Sequence, residues 1–471
     1  MSHLYERVAL QLKEQIAKGV YRPGDRVPSV RRLSTQLRVS LSTVIEAYTR
    51  LESESVLEAR PQSGYYVRAR LWEPPEEPEM SRPATTPTVV SVGDLAMKIL
   101  KTSARADVVQ FGVAAPHVQF LPIRPLNRAL VGWLRRHPDS GAHYDFPPGC
   151  RELRVQIARR AADAGCTFGP DEIVTTSGCL EAVTLCLRAV AQPGDTIVID
   201  SPAFYGTLQA IETLGMKALE IPTHPRDGIN LDALRLALER WAVKACLLVP
   251  TFNNPLGACM PEANKRQLVK LLAEHDVPLI EDDIYGDLPF HGPRPKTAKA
   301  FDRKGNVLLC SSFSKTLAPG YRVGWVAPGK YLAQVEHLKY VSTMATATLP
   351  QQAIAAFLAR GGYDRYLRNV RAQYAQQVER TIHAIAKYFP EGTRSTHPEG
   401  GFVLWVELPE TVRALELHTR ALEKNISIAP GPLFSARGKY QNCIRLNCAQ
   451  PWDDKLEWAL MTLGRLTHGL T

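Results

Sequence analysis

Lys315 stands among small hydroxyl residues in Ser311-Ser312-Phe313-Ser314-Lys315-Thr316, and Arg322 follows seven positions on. A lysine in such a setting can form an imine with an aldehyde cofactor, while the hydroxyls and a guanidinium neutralise a phosphate. Taken alone, the Ser-x-Ser-Lys stretch also describes an ordinary solvated lysine.

Four further stretches carry groups that complement such a cofactor. Ser177-Gly178-Cys179 joins a strand-like run to a helical one, and a helix start offers free N–H groups to a phosphate. Phe204, after Pro202-Ala203, can lay a ring against a planar molecule or pack in the core. Asn254 and Tyr285 can each donate to a phenolic oxygen. Asp282 ends the run Pro278-Leu279-Ile280-Glu281; a buried carboxylate is costly unless paired, and a pyridinium nitrogen would pair it. Asp282 reads equally as a loop carboxylate. Arg445, flanked by Cys443-Ile444 and Leu446, is a fork that fits a carboxylate in two bonds, or else closes an internal salt bridge.

The elements that must position these groups alternate along the chain. Ile173 to Thr176, Thr196 to Asp200, Cys246 to Pro250, Pro278 to Asp282 and Val307 to Cys310 are short apolar runs separated by helical patterns. Such runs predict a mostly parallel sheet covered on both faces, with ligands at the C-terminal strand ends. A long charged helix is expected after about residue 361. The later strands Phe402 to Glu407 and Cys443 to Leu446 suggest a smaller α+β lobe.

A chain of 471 residues exceeds one ordinary core, so two or three domains are expected. The net charge is +10, and residues 1–70 hold 12 Lys/Arg against 7 Asp/Glu, half of the excess. Concentrated basic charge favours a polyanionic partner. The nine cysteines include no Cys-x-x-Cys, which suits a reducing compartment and gives no zinc signature. No apolar run reaches the roughly 18–20 residues that a membrane span needs. A cytosolic protein is expected.

Within residues 1–70, Leu4, Val8, Leu12 and Ile16 mark one helix, and Ser29 caps a second that contains Val30, Leu33 and Leu37. Ser40 caps a third, with Val44, Ala47, Tyr48 and Leu51 on one side. Two short strands follow around Pro61-Gln62-Ser63. Three helices and a hairpin suggest a winged helix-turn-helix, although a helical docking module has the same pattern. In the DNA-binding reading, Ser40, Ser42 and Thr43 touch phosphates or base edges, Arg31 and Arg32 lie near the backbone, and Arg60, Gln62 and Ser63 form the wing. Residues 71–92 hold five prolines and four glutamates, and read as an extended, partly stiff tether.

Pro28-Ser29-Val30-Arg31, Ser40-Leu41-Ser42-Thr43-Val44 and Arg60-x-x-Ser63-Gly64 resemble the DNA-binding domain of GntR-type regulators, with Leu41 where many relatives have arginine. Residues 93–471 resemble a fold-type I, class I/II aminotransferase, and the whole chain resembles the MocR/GabR-type regulators that fuse the two. The resemblance implies pyridoxal 5'-phosphate on Lys315, its ring nitrogen on Asp282 and its 3′-oxygen on Asn254 and Tyr285. Phe204 takes the ring-stacking position. Ser177, Gly178, Cys179, Ser312 and Arg322 take the phosphate side, Cys179 replacing a hydroxyl residue, and Arg445 with Asn254 takes the substrate. Tyr144 would reach the neighbouring subunit's cofactor phosphate, which implies a homodimer. The function implied is a regulator that senses an amino compound through the cofactor and binds double-stranded DNA. Weak or residual aminotransferase activity would accompany that function; the alternative is an aminotransferase acting on an amino acid and a 2-oxo acid.

Overall fold

The computed structural model describes residues 4–18, 20–21, 24–54, 56–60, 63–68, 74–103, 105 and 107–471. Two compact units emerge: residues 1–75 with 379–388, and residues 76–378 with 389–471.

The N-terminal unit contains helices α1 (Leu4–Ala17), α2 (Val30–Leu37) and α3 (Leu41–Ser53) and the antiparallel hairpin β1 (Leu57–Arg60) with β2 (Gly64–Val67). Both expected caps are present. Ser29 Oγ accepts from Arg32 N, and Ser40 Oγ accepts from Thr43 N at 3.1 Å. Each satisfies a donor that the first helical turn cannot. Val8, Leu12, Leu33, Val44, Tyr48, Leu51, Leu57 and Val67 form the core of this unit, and Tyr48 Oη donates to the Pro28 carbonyl at 2.6 Å.

In the larger unit, a nine-stranded sheet runs in the order Thr88–Val89, Lys217–His224, Thr196–Ser201, Val243–Leu248, Leu279–Asp282, Val307–Ser312, Gly324–Ala327, Val174–Thr176, with Gly228–Ile229 pairing at one side. The five strands from Lys217–His224 to Val307–Ser312 are mutually parallel, and Gly324–Ala327 pairs antiparallel with both its neighbours. Their near-continuous burial explains the apolar runs in the sequence. Beyond the 27-residue helix Gly362–Tyr388, a four-stranded antiparallel sheet of Arg394–Ser395, Val403–Glu407, Cys443–Asn447 and Ala429–Pro430 builds the smaller lobe.

Residues 76–92 are extended, as their prolines suggest, but they do not hang free. The Glu76 carbonyl accepts from Ser395 N at 3.0 Å, and Thr88–Val89 pairs as an edge strand with Lys217–Ala218. The expected tether is therefore a strap over most of its length. Composition signals extension but cannot show what the extended chain lies against. Residues 71–73, also within that stretch, lie outside the described residues.

Candidate functional site

Lys315 follows the strand Val307–Ser312 in a turn closed by Leu317 N donating to the Phe313 carbonyl at 2.8 Å. Phe313, Leu317 and Ala318 are buried and anchor the turn, leaving the lysine half-buried between them. Its Nζ donates to the Ala114 carbonyl and stands 5.9 Å from the centre of the Tyr285 ring. Burial depresses the amine to about 8, and Arg445 and Arg322 push the same way, while Asp282 opposes them. A substantial fraction is thus neutral, the form in which an amine is a nucleophile.

Asp282 ends the adjacent strand. Its Oδ1 accepts from Cys179 Sγ at 3.3 Å and from Ile284 N at 3.1 Å, and burial raises the acid to about 6. The carboxylate has no ion pair among the described residues. The Cys179 thiol, at a position expected on the phosphate side in place of a hydroxyl residue, supports this carboxylate. Its own pKa is raised well above the ordinary thiol range, first by burial and then by Asp282, so it stays a donor.

Three buried side chains nearby hold polar atoms that meet no full hydrogen-bond geometry. These are Asn254 Oδ1 and Tyr285 Oη, whose side chains still interact with each other, and Nε and Nη1 of Arg445, whose guanidinium interacts with Tyr205. Arg445 is fully buried, and its Nη2 donates to the Gly112 carbonyl at 2.6 Å. Its pKa is lowered, chiefly by burial, with Tyr205 and Tyr285 opposing. Native interiors rarely leave such groups unmet, and a buried guanidinium without a carboxylate costs several kcal/mol, about 3–5 in broken pairs. Of this set, Tyr285 Oη and the Arg445 donors match a ligand that brings a phenolic oxygen and a carboxylate, whereas Asn254 Oδ1 is an acceptor and only its Nδ2 could donate to such an oxygen.

At the other end, Arg322 Nη2 donates to the Ser177 carbonyl at 2.9 Å and Nη1 to Ser314 Oγ at 3.3 Å. Gly178 has φ +96°, and a Cβ there would run into the Arg322 guanidinium. Ser312 Oγ accepts from Ser314 N at 3.3 Å. The Ser177 amide is already bonded to Glu181, so a phosphate here would draw on the start of helix Cys179–Val190, the serine hydroxyls and Arg322. Phe204 is half-buried at the cap of helix Tyr205–Thr213, 4.6 Å from the Tyr205 ring.

Lys315, Asp282, Cys179, Tyr285 and Arg445 thus influence one another's ionisation, and Ser177, Gly178, Ser312 and Arg322 adjoin at the strand ends. Tyr144 is not among them. It is 69% exposed, its ring 5.4 Å from Phe146. Sequence reasoning counted Ser314 among the phosphate hydroxyls without singling it out, and missed Tyr205 and the carbonyls of Gly112 and Ala114. Ser314 lay in plain view beside Lys315, but nothing in the loop around 112–114 marks its carbonyls.

In the N-terminal unit, Arg31 and Arg32 are exposed. Ser40 Oγ is engaged with Thr43 N and with the hydroxyls of Ser42 and Thr43 at 2.8 and 2.7 Å, so it caps before it can read anything. Arg60 is bound to Glu58 at 2.6 Å and stacks 4.3 Å from the Tyr66 ring centre, while Ser63 Oγ bonds Tyr66 Oη. Gln62 lies outside the described residues.

Comparison with known proteins yields two family matches: "Aminotransferase class I and II" over residues 137–463 and "Bacterial regulatory proteins, gntR family" over residues 4–67. The chain is 41% identical to the HTH-type transcriptional regulator YjiR and 43% identical to YdcR, both of Escherichia coli, over 98% of each chain in both cases. Among solved structures it is similar to a multiple substrate aminotransferase from Thermococcus profundus (28% identity, 79% of this chain and 94% of that one, TM-score 0.74). It is also similar to the α-aminoadipate aminotransferase LysN from Thermus thermophilus, solved with N-(5'-phosphopyridoxyl)-L-leucine (27%, 80% and 94%, TM-score 0.73). Pyridoxal phosphate is the cofactor these matches imply, and the unmet buried groups fit it.

Proposed function

Because the chain belongs to the aminotransferase class I and II family and carries a gntR-family regulatory domain, we propose that it is a pyridoxal phosphate-dependent transcriptional regulator whose body reads a small amino compound and whose N-terminal unit binds double-stranded DNA. The observation that carries this reading is the strap. The chain that follows the N-terminal unit is bonded to both lobes that frame the site. Glu77 accepts from Arg226 of the larger lobe at 2.5 Å and from the His397 amide of the smaller at 3.2 Å. Ser81 Oγ donates to the Ser201 carbonyl, three residues before Phe204. From the smaller lobe, Arg437 reaches Thr86 and Thr88 at 2.6 and 2.7 Å, and Lys439 reaches the Arg82 carbonyl at 3.1 Å. A ligand that prefers one lobe arrangement changes the path of the strap, and differential affinity is all that such coupling requires.

When bound, pyridoxal phosphate supplies an aldehyde that condenses with amines and a ring that draws electrons toward its nitrogen. In this reading Lys315 holds the aldehyde carbon, and Asp282, backed by Cys179, faces the ring nitrogen. Asn254 and Tyr285 donate to the phenolic oxygen, while Arg322 and the serines hold the phosphate. Arg445 offers Nε and Nη1 to a carboxylate of the amino compound, and orients it. Tyr144 and its neighbour Phe146, both exposed, belong at the contact between two copies in a homodimer.

The test screens α-amino acids, γ-amino acids and taurine-like amines for a change in visible absorbance of the cofactor-loaded full chain. Each positive is then carried into footprinting on the DNA beside its own gene. At least one amine is expected to change both the absorbance and the footprint. Absence of any protected site, with cofactor and amines present or absent, ends the regulator reading. The open donors of Arg445 beside a partly neutral Lys315 also suit transamination. Steady turnover of an amino donor and a 2-oxo acid at about 1–10³ per second would make that the principal activity.

A further inference from the structure

Helix α3 buries Val44, Ala47, Tyr48 and Leu51 on one side, all at 0% exposure. Its opposite side presents Leu41, Ser42, Ile45, Glu46 and Thr49 to solvent. Leu41 is 48% and Ile45 49% exposed, and a separation of four places them side by side on the helix surface. Two adjacent aliphatic side chains at the front of an otherwise polar face carry a hydration cost that nothing in this unit relieves. Arg31 and Arg32, in α2, and Arg38, at its C-cap, precede them in the chain, all exposed and without a carboxylate partner among the described residues. An apolar pair in a unit that also exposes unpaired guanidiniums suits a surface that is anionic and carries apolar points.

The major groove of DNA has this character. Phosphates line it, and the one apolar group that base pairs display there is the C5-methyl of thymine. Helix-turn-helix domains place the N-terminal part of the second helix of the motif against the base edges, and Leu41 and Ile45 occupy that part of α3. We propose that Leu41 and Ile45 are the specificity-determining residues of the DNA contact. They pack on the methyl groups of neighbouring thymines, where an arginine would read guanine. Glu46, on the same face, opposes guanine at the position it faces, because its carboxylate is repelled by the N7 and O6 acceptors and can only accept from an exocyclic amino group, such as adenine N6 of a T·A pair. The proposal rests on the DNA-binding reading above and adds the chemistry of the bases recognised.

The experiment uses the full, cofactor-loaded chain. A binding site is selected from a random-sequence duplex pool, and each thymine in it is then replaced singly by deoxyuridine, which removes only the methyl. At one or two positions per half-site the substitution is expected to weaken binding about fourfold, the worth of one buried methyl group, and about 15-fold for two together. Leu41→Ala and Ile45→Ala, at exposed positions that leave the melting temperature unchanged, should each erase the deoxyuridine penalty at one position while keeping the phosphate-dependent affinity. A selected site that tolerates deoxyuridine everywhere overturns the proposal while leaving DNA binding intact. So does a Leu41→Ala protein with the full penalty. A pool from which no duplex is retained overturns the DNA-binding reading itself.

Discussion

Asp282 and Asp283 are consecutive, chemically identical and both buried, yet they belong to two different kinds of place. Asp283 faces Arg294, which also holds Asp287 at 2.7 Å; Arg160 lies 3.5 Å from Asp287, and Tyr363 Oη donates to Asp287 at 3.0 Å. Charge meets charge within the chain, and Arg294 with Arg160 holds Asp287 far below the usual carboxylate range against its burial. Asp282 has a thiol and one amide for company, and burial raises it to about 6. Around it stand a lysine depressed to about 8 and an arginine with two idle donors. A cluster whose charges are paired within the chain holds the fold, although Asp283 Oδ1, Arg294 Nη1 and Arg160 Nε in it lack a hydrogen-bond partner among the described residues. One left open, at the same depth, is held ready for something that arrives.

The largest effect separates the two by stability. Arg294→Met leaves Asp283 and Asp287 as buried anions without their principal cation, a change that costs about 3–5 kcal/mol. Thermal or urea unfolding should show it, and Asp283→Asn in the same chain should return part of the loss. Protein that remains folded should still develop visible absorbance with pyridoxal phosphate. If Arg294→Met instead abolishes that absorbance at unchanged stability, the closed cluster is part of the site and the contrast fails.

Asp282→Asn sharpens the contrast from the other side. A neutral amide of the same shape removes a buried charge that no cation pairs, so the melting temperature of the cofactor-free protein should hold or rise. Reaction of the cofactor-loaded protein with an amine should slow about 100-fold or more, because the charge opposite the ring nitrogen is lost. Rapid-mixing absorbance measurements would resolve this. A variant that loses stability and keeps its rate would place Asp282 among the structural carboxylates.

Much of this arrangement was legible in the sequence. Continuous apolar runs gave the parallel strands because both faces of the sheet are covered, and Ser29 and Ser40 announced the helix starts they cap. Lys315 was weak alone and stood out only together with the complementary groups at the neighbouring strand ends. Asp282 was read at a strand end, its role opposite a ring nitrogen came from the family resemblance, and Asp283 was not weighed. The cluster around Asp283 was not legible. Its partners Arg160, Arg294 and Tyr363 come from distant segments, and no spacing links them. What the strap lies against was not legible for a related reason. Five prolines signal extension, but the hydrogen bonds from Arg437, Lys439 and Ser395 reside in sequence hundreds of residues away.

The smallest expected effect concerns protons. Lys315 is depressed from 10.5 to about 8, first by burial and then by Arg445. At pH 7.5 about one molecule in four presents the neutral amine, and at pH 8.5 about three in four. The rate at which the empty protein attaches pyridoxal phosphate should therefore rise about threefold across that interval and level off near pH 9. An unperturbed lysine would continue to gain about tenfold per pH unit toward 10. Linkage gives the signs for stability. The depressed Lys315 contributes in full above pH 10.5, and that contribution is lost as pH falls through about 8. The raised Asp282 contributes below 3.8, and its share is lost as pH rises through about 6. Between these windows the empty site gains from neither group. Added pyridoxal phosphate should then raise the melting temperature more near pH 7 than at either extreme, because binding to the folded state alone is stabilising. Arg294→Met, which leaves Arg445 and Arg322 in place, should keep the same attachment profile. A plateau that moves with Arg294 would tie the two clusters into one.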